Sequence, residues 1–370
     1  MDYAIEARDL RKTYPGDVRA LDGLDFAVEP GTVFGLLGPN GAGKSTTVKI
    51  LTTLTLADAG TATVAGHDVV RDPDAVRRAI GVVAQKAGVD REATGRENLR
   101  LQGQVYGMRG RALEQRIDEL LDRFGLTEAA NRIGRTYSGG MQRRLDIAMA
   151  LVHRPSVLFL DEPTTGLDPE VRADMWREIE RLSSDHGITV LLTTHYLEEA
   201  DRLAKQLAIV DRGTVVARGT PEELKGDLHG DAVVVELERA YNGEVTRALE
   251  RVDGLREISV EGTALRARSD DGARAVPHVL QALEAGGVQV TSVTVARPSL
   301  DDVYLRHAGR TFDAAEHETE TKQMEENRDA GCNESRQHPR MEKGDHAGGD
   351  DGTSASRSTT PKGVSVVTWW

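Results

Sequence analysis

The sequence predicts an α/β domain built on a largely parallel sheet, followed by a small α+β domain and a disordered polar tail. Three observations predict it. Over residues 1–220, short near-continuous apolar runs alternate with helical patterns, as in a parallel sheet with crossover helices. From 221 to 308 the pattern restarts in the order β-α-β-β-α-β, the split βαβ order. Beyond 309 the aliphatic periodicity disappears.

In the first region Val33–Leu37 and residues 157–160, 188–192 and 207–210 read as strands. Their near-continuous apolar character is expected when helices cover both faces of a sheet. Residues 46–54, 113–124 and 141–151 carry helical patterns. Gly219-Thr220-Pro221-Glu222-Glu223-Leu224 marks a boundary. Thr220 is suited to cap a short helix, with Pro221 at its first position and Glu223 at the capping-box site. Residues 233–237 then read as a strand and 244–252 as a helix. Strands at 258–260 and 265–268 flank a turn at Glu261-Gly262. A helix over 273–285, a strand over 288–295 and a terminal helix over 299–306 complete the small domain. Residues 313–361 are rich in Glu, Asp, Arg, Ser, Thr and Gly, and cannot bury enough apolar surface to offset their ordering entropy. The whole of 309–370 is therefore expected to be a disordered tail. Its last residues, Trp369 and Trp370, read as a neutral extension, with docking on a partner or a membrane interface as the alternative.

At 370 residues the chain is long enough for two domains and a tail. Lys+Arg is 47 against 60 Asp+Glu, a formal net charge of −13. That balance argues against a protein that coats nucleic acid, which needs a basic footprint. A single cysteine, Cys332, excludes an internal disulfide framework and a Cys-based zinc site, and fits a reducing compartment. Met1-Asp2-Tyr3-Ala4-Ile5-Glu6 has neither the basic nor the apolar segment of a secretory leader. No apolar run approaches the roughly 18 residues of a membrane span.

Chemistry concentrates at two strand ends. Gly38-Pro39-Asn40-Gly41-Ala42-Gly43-Lys44-Ser45 fits the phosphate loop G-x-x-x-x-G-K-[ST], between the strand Val33–Leu37 and the helical run that starts at Thr46. Its glycines let backbone N–H groups converge on a phosphate, and the helix N-terminus adds its positive end. Lys44 supplies a charge for the β and γ phosphates, and the Ser45 hydroxyl is a Mg²⁺ ligand. Val157-Leu158-Phe159-Leu160-Asp161-Glu162 is an apolar strand ending in two carboxylates. Asp161 is expected to reach the Mg²⁺ and Glu162 to orient and deprotonate an attacking water.

Tyr137-Ser138-Gly139-Gly140-Met141-Gln142-Arg143-Arg144 lies between those strands, Gly166-Leu167-Asp168-Pro169 follows the second, and Thr193-Thr194-His195 ends a later one. Together with the phosphate loop, these residues resemble the ABC-transporter ATPase family over about residues 4–220. Ser138, Gly139 and Gly140 match the core of the family's signature loop, although Tyr137 and Met141 depart from its commonest form. Tyr-Ser-Gly-Gly-Met followed by Arg-Arg-Leu-Asp-Ile-Ala is similar to the daunorubicin/doxorubicin-resistance type of ATP-binding subunit. So are residues 29–38 and, near the end of the second domain, Arg297-Pro298-Ser299-Leu300-Asp301-Asp302-Val303-Tyr304-Leu305.

The resemblance implies a P-loop ABC ATPase domain with a helical subdomain, and a site shared between two subunits. Tyr14 is the expected adenine-stacking aromatic. Gln85 matches the Q-loop, sensing Mg²⁺ or water, and His195 the switch histidine that contacts the γ-phosphate and braces Glu162. Ser138, Gly139 and Gly140 open a helix, a second anion cradle, and in the family the cradle of one subunit meets the γ-phosphate held by the other. Asp168 would shape the seam, or cap the following helix, or both. The expected cofactors are ATP and Mg²⁺. The expected partners are a second ATPase subunit, most simply another copy, and a separate transmembrane permease, with no nucleic acid. The chain would then lie on the cytoplasmic face of the membrane and drive export of drugs or other amphipathic compounds. Two rival readings are a permease-free ABC ATPase acting on ribosomes or DNA, and an ATP-switched regulatory module in which residues 221–308 are the active part.

Overall fold

The structure, a computed structural model, describes residues 3–317 apart from 87, 185, 229, 241–243 and 251. Cys332, Trp369, Trp370 and the tail from 318 onward lie outside the described residues. The chain opens with β1 (Ile5–Tyr14), β2 (Val18–Val28), β3 (Val33–Leu37), α1 (Lys44–Leu51), β4 (Ala59–Val64), β5 (His67–Asp68), α2 (Pro73–Ala79) and β6 (Ile80–Val83). Three helices follow, α3 (Gly95–Val105), α4 (Gly110–Arg123) and α5 (Gly139–Ala150). Then come β7 (Val157–Asp161), α6 (Pro169–Ser184), β8 (Thr189–Thr194), α7 (Leu197–Leu203), β9 (Gln206–Asp211) and β10 (Thr214–Gly219).

The central sheet has the order β10-β9-β3-β8-β7-β6. It is parallel from β9 to β6, with β10 antiparallel at one edge. Alternation along its strands divides the core. Leu158 and Leu160 of β7 pack with Ile117 and Leu120 of α4 and Leu145 of α5, whereas Val157 and Phe159 pack with Phe26, Val28 and Ile50. Both faces are buried, so both sets of side chains are apolar. Helices cover one face, but the other is covered by α1 and by a second, antiparallel sheet of order β2-β1-β4-β5. The expectation of helices on both faces is corrected there. The pairing of β1 with β2 shifts register three times, and Asp9 sits at φ 46°. These bulges break the period-two pattern by which such strands are recognised.

The second domain begins with α8 (Pro221–Gly226), capped by the Thr220–Glu223 box with Pro221 in its first turn. It continues through β11 (Asp231–Leu237), α9 (Glu244–Leu249), β12 (Leu255–Glu261), β13 (Ala264–Ser269), α10 (Gly272–Ala285) and β14 (Val290–Ala296). The four strands form an antiparallel sheet of order β12-β13-β11-β14, the split βαβ arrangement, with Val279 and Leu283 of α10 packed on Val233, Val235 and Leu265. The last labelled helix, α11 (Leu300–Ala308), joins the two domains. Leu300, Val303 and Tyr304 cluster with Leu37 and Ile209 of the central sheet. On its polar side, Asp301 accepts from Arg266 at 2.8 Å, and Asp302 lies 3.3 Å from Arg268.

The expected start of disorder at 309 is corrected for residues 310–317. Gly309, at φ 72°, ends α11 in the left-handed conformation that favours glycine. The chain then turns back onto the first domain. Arg310 pairs with Asp211 at 2.9 Å, and residues 312–317 are helical. Phe312, 2% exposed, packs edge-on against Tyr304 with ring centroids 4.9 Å apart. Two apolar anchors, Phe312 and Ala315, and an ion pair suffice to order a short segment of otherwise polar composition.

Candidate nucleotide site

β3 delivers the chain to a tight loop, and α1 starts immediately behind it. Gly43 is the N-cap residue of α1 at φ 107°, and no side chain caps the helix. A Cβ at Gly43 would stand 2.6 Å from the Ala20 carbonyl oxygen, and one at Gly38 would stand 2.3 Å from that of Val210. Glycine is therefore required at both positions. Gly38, Ala42 and Lys44 are buried, Asn40 and Thr46 half-buried, and Gly41 and Ser45 exposed. The first N–H groups of α1 have no intrahelical acceptor and point out of the helix end. The two glycines let the loop pack directly on the backbone behind it, and the uncapped helix end beside a buried ammonium fits a phosphate group.

Lys44 is 4% exposed. Its ammonium donates to the carbonyls of Gly38 at 2.7 Å and Pro39 at 3.1 Å, and lies 3.5 Å from Glu162 Oε1. Burial pushes its pKa below the usual lysine range, and the charges of Glu162, Asp161 and Glu316 offset only part of that. The Ser45 hydroxyl donates to Asp161 Oδ1 at 3.3 Å, and Thr193 Oγ1 donates to the same oxygen at 2.6 Å. A hydroxyl and a carboxylate side by side form a hard oxygen set that fits Mg²⁺ once phosphate oxygens and water complete the shell. Among the described residues, no cluster of three or more His, Cys, Asp or Glu forms a metal cage.

Glu162 is the centre of the cluster and is 7% exposed. Its Oε2 accepts from Gln85 Nε2 at 3.1 Å and from Thr165 Oγ1 at 3.4 Å. Its Oε1 faces His195 Nδ1 at 3.3 Å. Burial raises its pKa, but His195 and Lys44 together outweigh burial and leave it below the usual glutamate value. Its backbone N–H is held by Thr193, by the carbonyl at 3.1 Å and the hydroxyl at 3.0 Å.

The fold thus brings Lys44, Ser45, Gln85, Asp161, Glu162 and His195 together. It does not bring in Ser138, Gly139 or Gly140. Ser138 caps α5 by accepting from Met141 N–H at 3.3 Å, and Cβ atoms built on Gly139 and Gly140 would meet Leu167 and Val171. Asp168 is exposed and accepts from Val171 N–H at 3.0 Å, capping α6. Tyr14 is half-buried, with the Lys12 ammonium 5.7 Å above its ring, and no hydrogen bond or ring contact joins it to the cluster among the described residues. Sequence reasoning missed Thr193, which serves both Asp161 and Glu162. It also missed Arg143 and Asp146, buried on α5 beside Leu145 and Ile147. A charged pair at i and i+3 on a helix face that is otherwise apolar was the available signal.

A strand–loop–helix phosphate cradle on β3, a carboxylate-ended strand β7 on the far side of β8, and a histidine at the end of β8 define an ATP-binding cassette ATPase. Family models agree. The ABC transporter model matches residues 21–165, and the model of the C-terminal domain of DrrA1-3-like ATP-binding proteins matches residues 219–308. The daunorubicin resistance ATP-binding protein DrrA2 of Streptomyces coeruleorubidus is 47% identical over 88% of this chain and 98% of its own. The daunorubicin/doxorubicin resistance ATP-binding protein DrrA of Streptomyces peucetius is 47% identical over 84% of this chain and 94% of its own. A solved ATP-binding cassette, captured as a post-hydrolysis dimer with ADP and phosphate, is 26% identical, with a TM-score of 0.53 over 58% of this chain and 98% of its own. The chain belongs to the family of ABC-transporter ATP-binding proteins with a DrrA-like C-terminal domain.

Proposed function

We propose that this chain is the ATP-hydrolysing subunit of an exporter, working as a pair of copies on the cytoplasmic face of the membrane and driving a separate permease for drugs or other amphipathic compounds. No helix among the described residues is long and apolar enough to cross a membrane, so a pathway needs a partner. The names of the resistance relatives support the class of cargo.

ATP enters the cradle of residues 38–46, with adenine stacked on Tyr14. Lys44 turns from Glu162 and the loop carbonyls to the β and γ phosphates, a stronger partner for a buried ammonium. Ser45, Asp161 and Gln85 would hold Mg²⁺, which would supply charge neutralisation at the phosphates. Release from Lys44 frees Glu162, ionised at neutral pH, to orient a water toward the γ-phosphorus and take its proton. The bond from the γ-phosphorus to the bridging oxygen breaks, and ADP leaves with the electron pair. His195 holds Glu162 and the γ-phosphate in line. Ser138, Gly139 and Gly140 of the second copy close over the same phosphate, with Asp168 shaping the seam. Hydrolysis removes the group that spans the seam, and the pair opens.

The observation that carries this reading is the enclosure of the Glu162 carboxylate by Lys44, Gln85 and His195, all within 3.5 Å. Glu162→Gln should lower turnover by about 100-fold or more, retain ATP and accumulate the closed pair in gel filtration. Turnover near that of the parent would refute the role of Glu162.

A further inference from the structure

Arg143 lies one turn inside α5, not at the nucleotide cluster, and is 7% exposed. Its guanidinium makes three hydrogen bonds, all to backbone carbonyls. Nε donates to Pro163 O at 2.8 Å, Nη1 to Ala84 O at 2.6 Å and Nη2 to Asp161 O at 3.1 Å. Asp161 and Pro163 flank Glu162, and Ala84 precedes Gln85. One planar group therefore grips the chain on both sides of Glu162 and next to the amide that bonds its carboxylate. Glu162 has φ 48°, a left-handed conformation that a non-glycine residue keeps only when its surroundings hold it. A change of φ or ψ there swings the carboxylate away from Gln85 and His195. A fork of fixed donors resists that swing in a way a flexible ammonium cannot. Asp146, one turn further along α5, accepts from Gly88 N–H at 2.9 Å and so holds the Gln85 segment from its other end.

We propose that Arg143 is a positioning residue for hydrolysis, setting Glu162 and Gln85 through the carbonyls beside them. The inference rests on the reading of Glu162 given above. It also gives α5 a second task. The helix that presents Ser138 and Gly139 outward, with Gly140 packed against Val171, holds the hydrolytic carboxylate of its own chain inward.

The test uses the full-length chain. Arg143→Ala should lower kcat by about 100-fold, leave KM and binding of a fluorescent ATP analogue within about threefold, and regain about tenfold in kcat on addition of millimolar guanidinium. If that variant does not fold, Arg143→Gln, whose amide reaches one carbonyl, should show the same split between kcat and KM. The double variant with Glu162→Gln should be no slower than Glu162→Gln alone. A kcat within threefold of the parent overturns the proposal. So does a parallel loss of ATP binding without guanidinium rescue, or an additive double variant. A parent chain that binds ATP but loses no turnover in Glu162→Gln overturns the reading of the site as well.

Discussion

Two helix N-termini of the ATPase domain, those of α1 and α5, both lie at glycines and are finished differently. At α1 no side chain caps the helix, and a buried ammonium, two carboxylates, an amide and an imidazole surround its open end. At α5 the cap is the Ser138 side chain, Ser138 and Gly139 are exposed, and the nearest neighbours belong to the start of α6. The first end gathers these groups from its own chain. The second is a donor surface with nothing of its own to bind. The difference is the one the proposed pairing requires, in which the anion for α5 is the nucleotide held by a second copy.

The sharpest way to break that comparison is to disable each end separately and mix the products. Lys44→Ala should lose ATP binding by about 100-fold or more, whereas Gly139→Asp should keep ATP binding in the single chain and lose turnover by a similar factor. A Cβ at Gly139 would meet only Leu167, at 3.9 Å, an ordinary contact, and the position is exposed, so the isolated Gly139→Asp chain should fold. Gly140 is a poor choice, because a Cβ there would stand 2.5 Å from Val171. Mixing the two inactive proteins rebuilds one composite site per mixed pair, and ATPase activity should reappear. A mixture as inactive as its components would show that the two ends do not share a nucleotide.

How far each region was legible follows from what its residues had to do. β3 and β7 were readable because an apolar run buried on both faces ends directly in chemistry, Gly38 in one case and Asp161-Glu162 in the other. β1 and β2 were not, because bulges scramble their alternation. In the site, Lys44 and Glu162 carry a local pattern. Thr193 and Arg143 do not, since their partners lie far away in sequence, backbone carbonyls for Arg143 and the Asp161 carboxylate and Glu162 N–H for Thr193. The segment after Gly309 misled for a related reason. Composition averages over a window, while Phe312 and Arg310 act singly. Phe312→Ala should cost about 3 kcal/mol in chemical denaturation, the usual loss for a buried aromatic. A loss below about 1 kcal/mol would mean that residues 310–317 contribute little to the first domain.

The two ends also differ in the titrating groups behind them. Asp146, buried within α5, and His153, half-buried just past its C-terminal end, have pKa values shifted in opposite senses. Burial raises Asp146 to about 6 against an ordinary 3.8, with Arg143 and the Gly88 N–H offsetting part. Burial lowers His153 to about 4 against 6.5, although its Nε2 lies 2.8 Å from the Ile80 carbonyl. Between pH 4 and 6 folded Asp146 holds a proton that the unfolded chain releases, so its contribution to stability falls as pH rises. Over nearly the same window the unfolded chain binds a proton at His153 that the folded chain does not, so that contribution rises with pH. Each amounts to about 2–3 kcal/mol, and the two nearly cancel. Asp146→Asn should therefore expose a stability loss on acidification from pH 6.5 to 4, and His153→Gln a gain, in urea titrations at fixed pH. Identical slopes in both variants would contradict the assignment.

The smallest effect separates the structural and the ligand-facing duties of Ser138. Its hydroxyl caps α5 with a bond of 3.3 Å at an exposed position, so Ser138→Ala should cost about 1 kcal/mol or less of stability. Ser138→Asp keeps a capping oxygen and favours the positive end of the helix, so the isolated chain should be at least as stable as the parent. Its charge would nonetheless face the phosphate of the opposing copy and repel it. The two substitutions are thus expected to reverse their order between measurements, with Asp the better residue for thermal stability and the worse one for turnover. At α1 the uncapped Gly43 allows no such reversal, because every side chain there meets the Ala20 carbonyl before it reaches a ligand. An order of Ser138 variants that is the same in both measurements would mean that the α5 end only caps its helix.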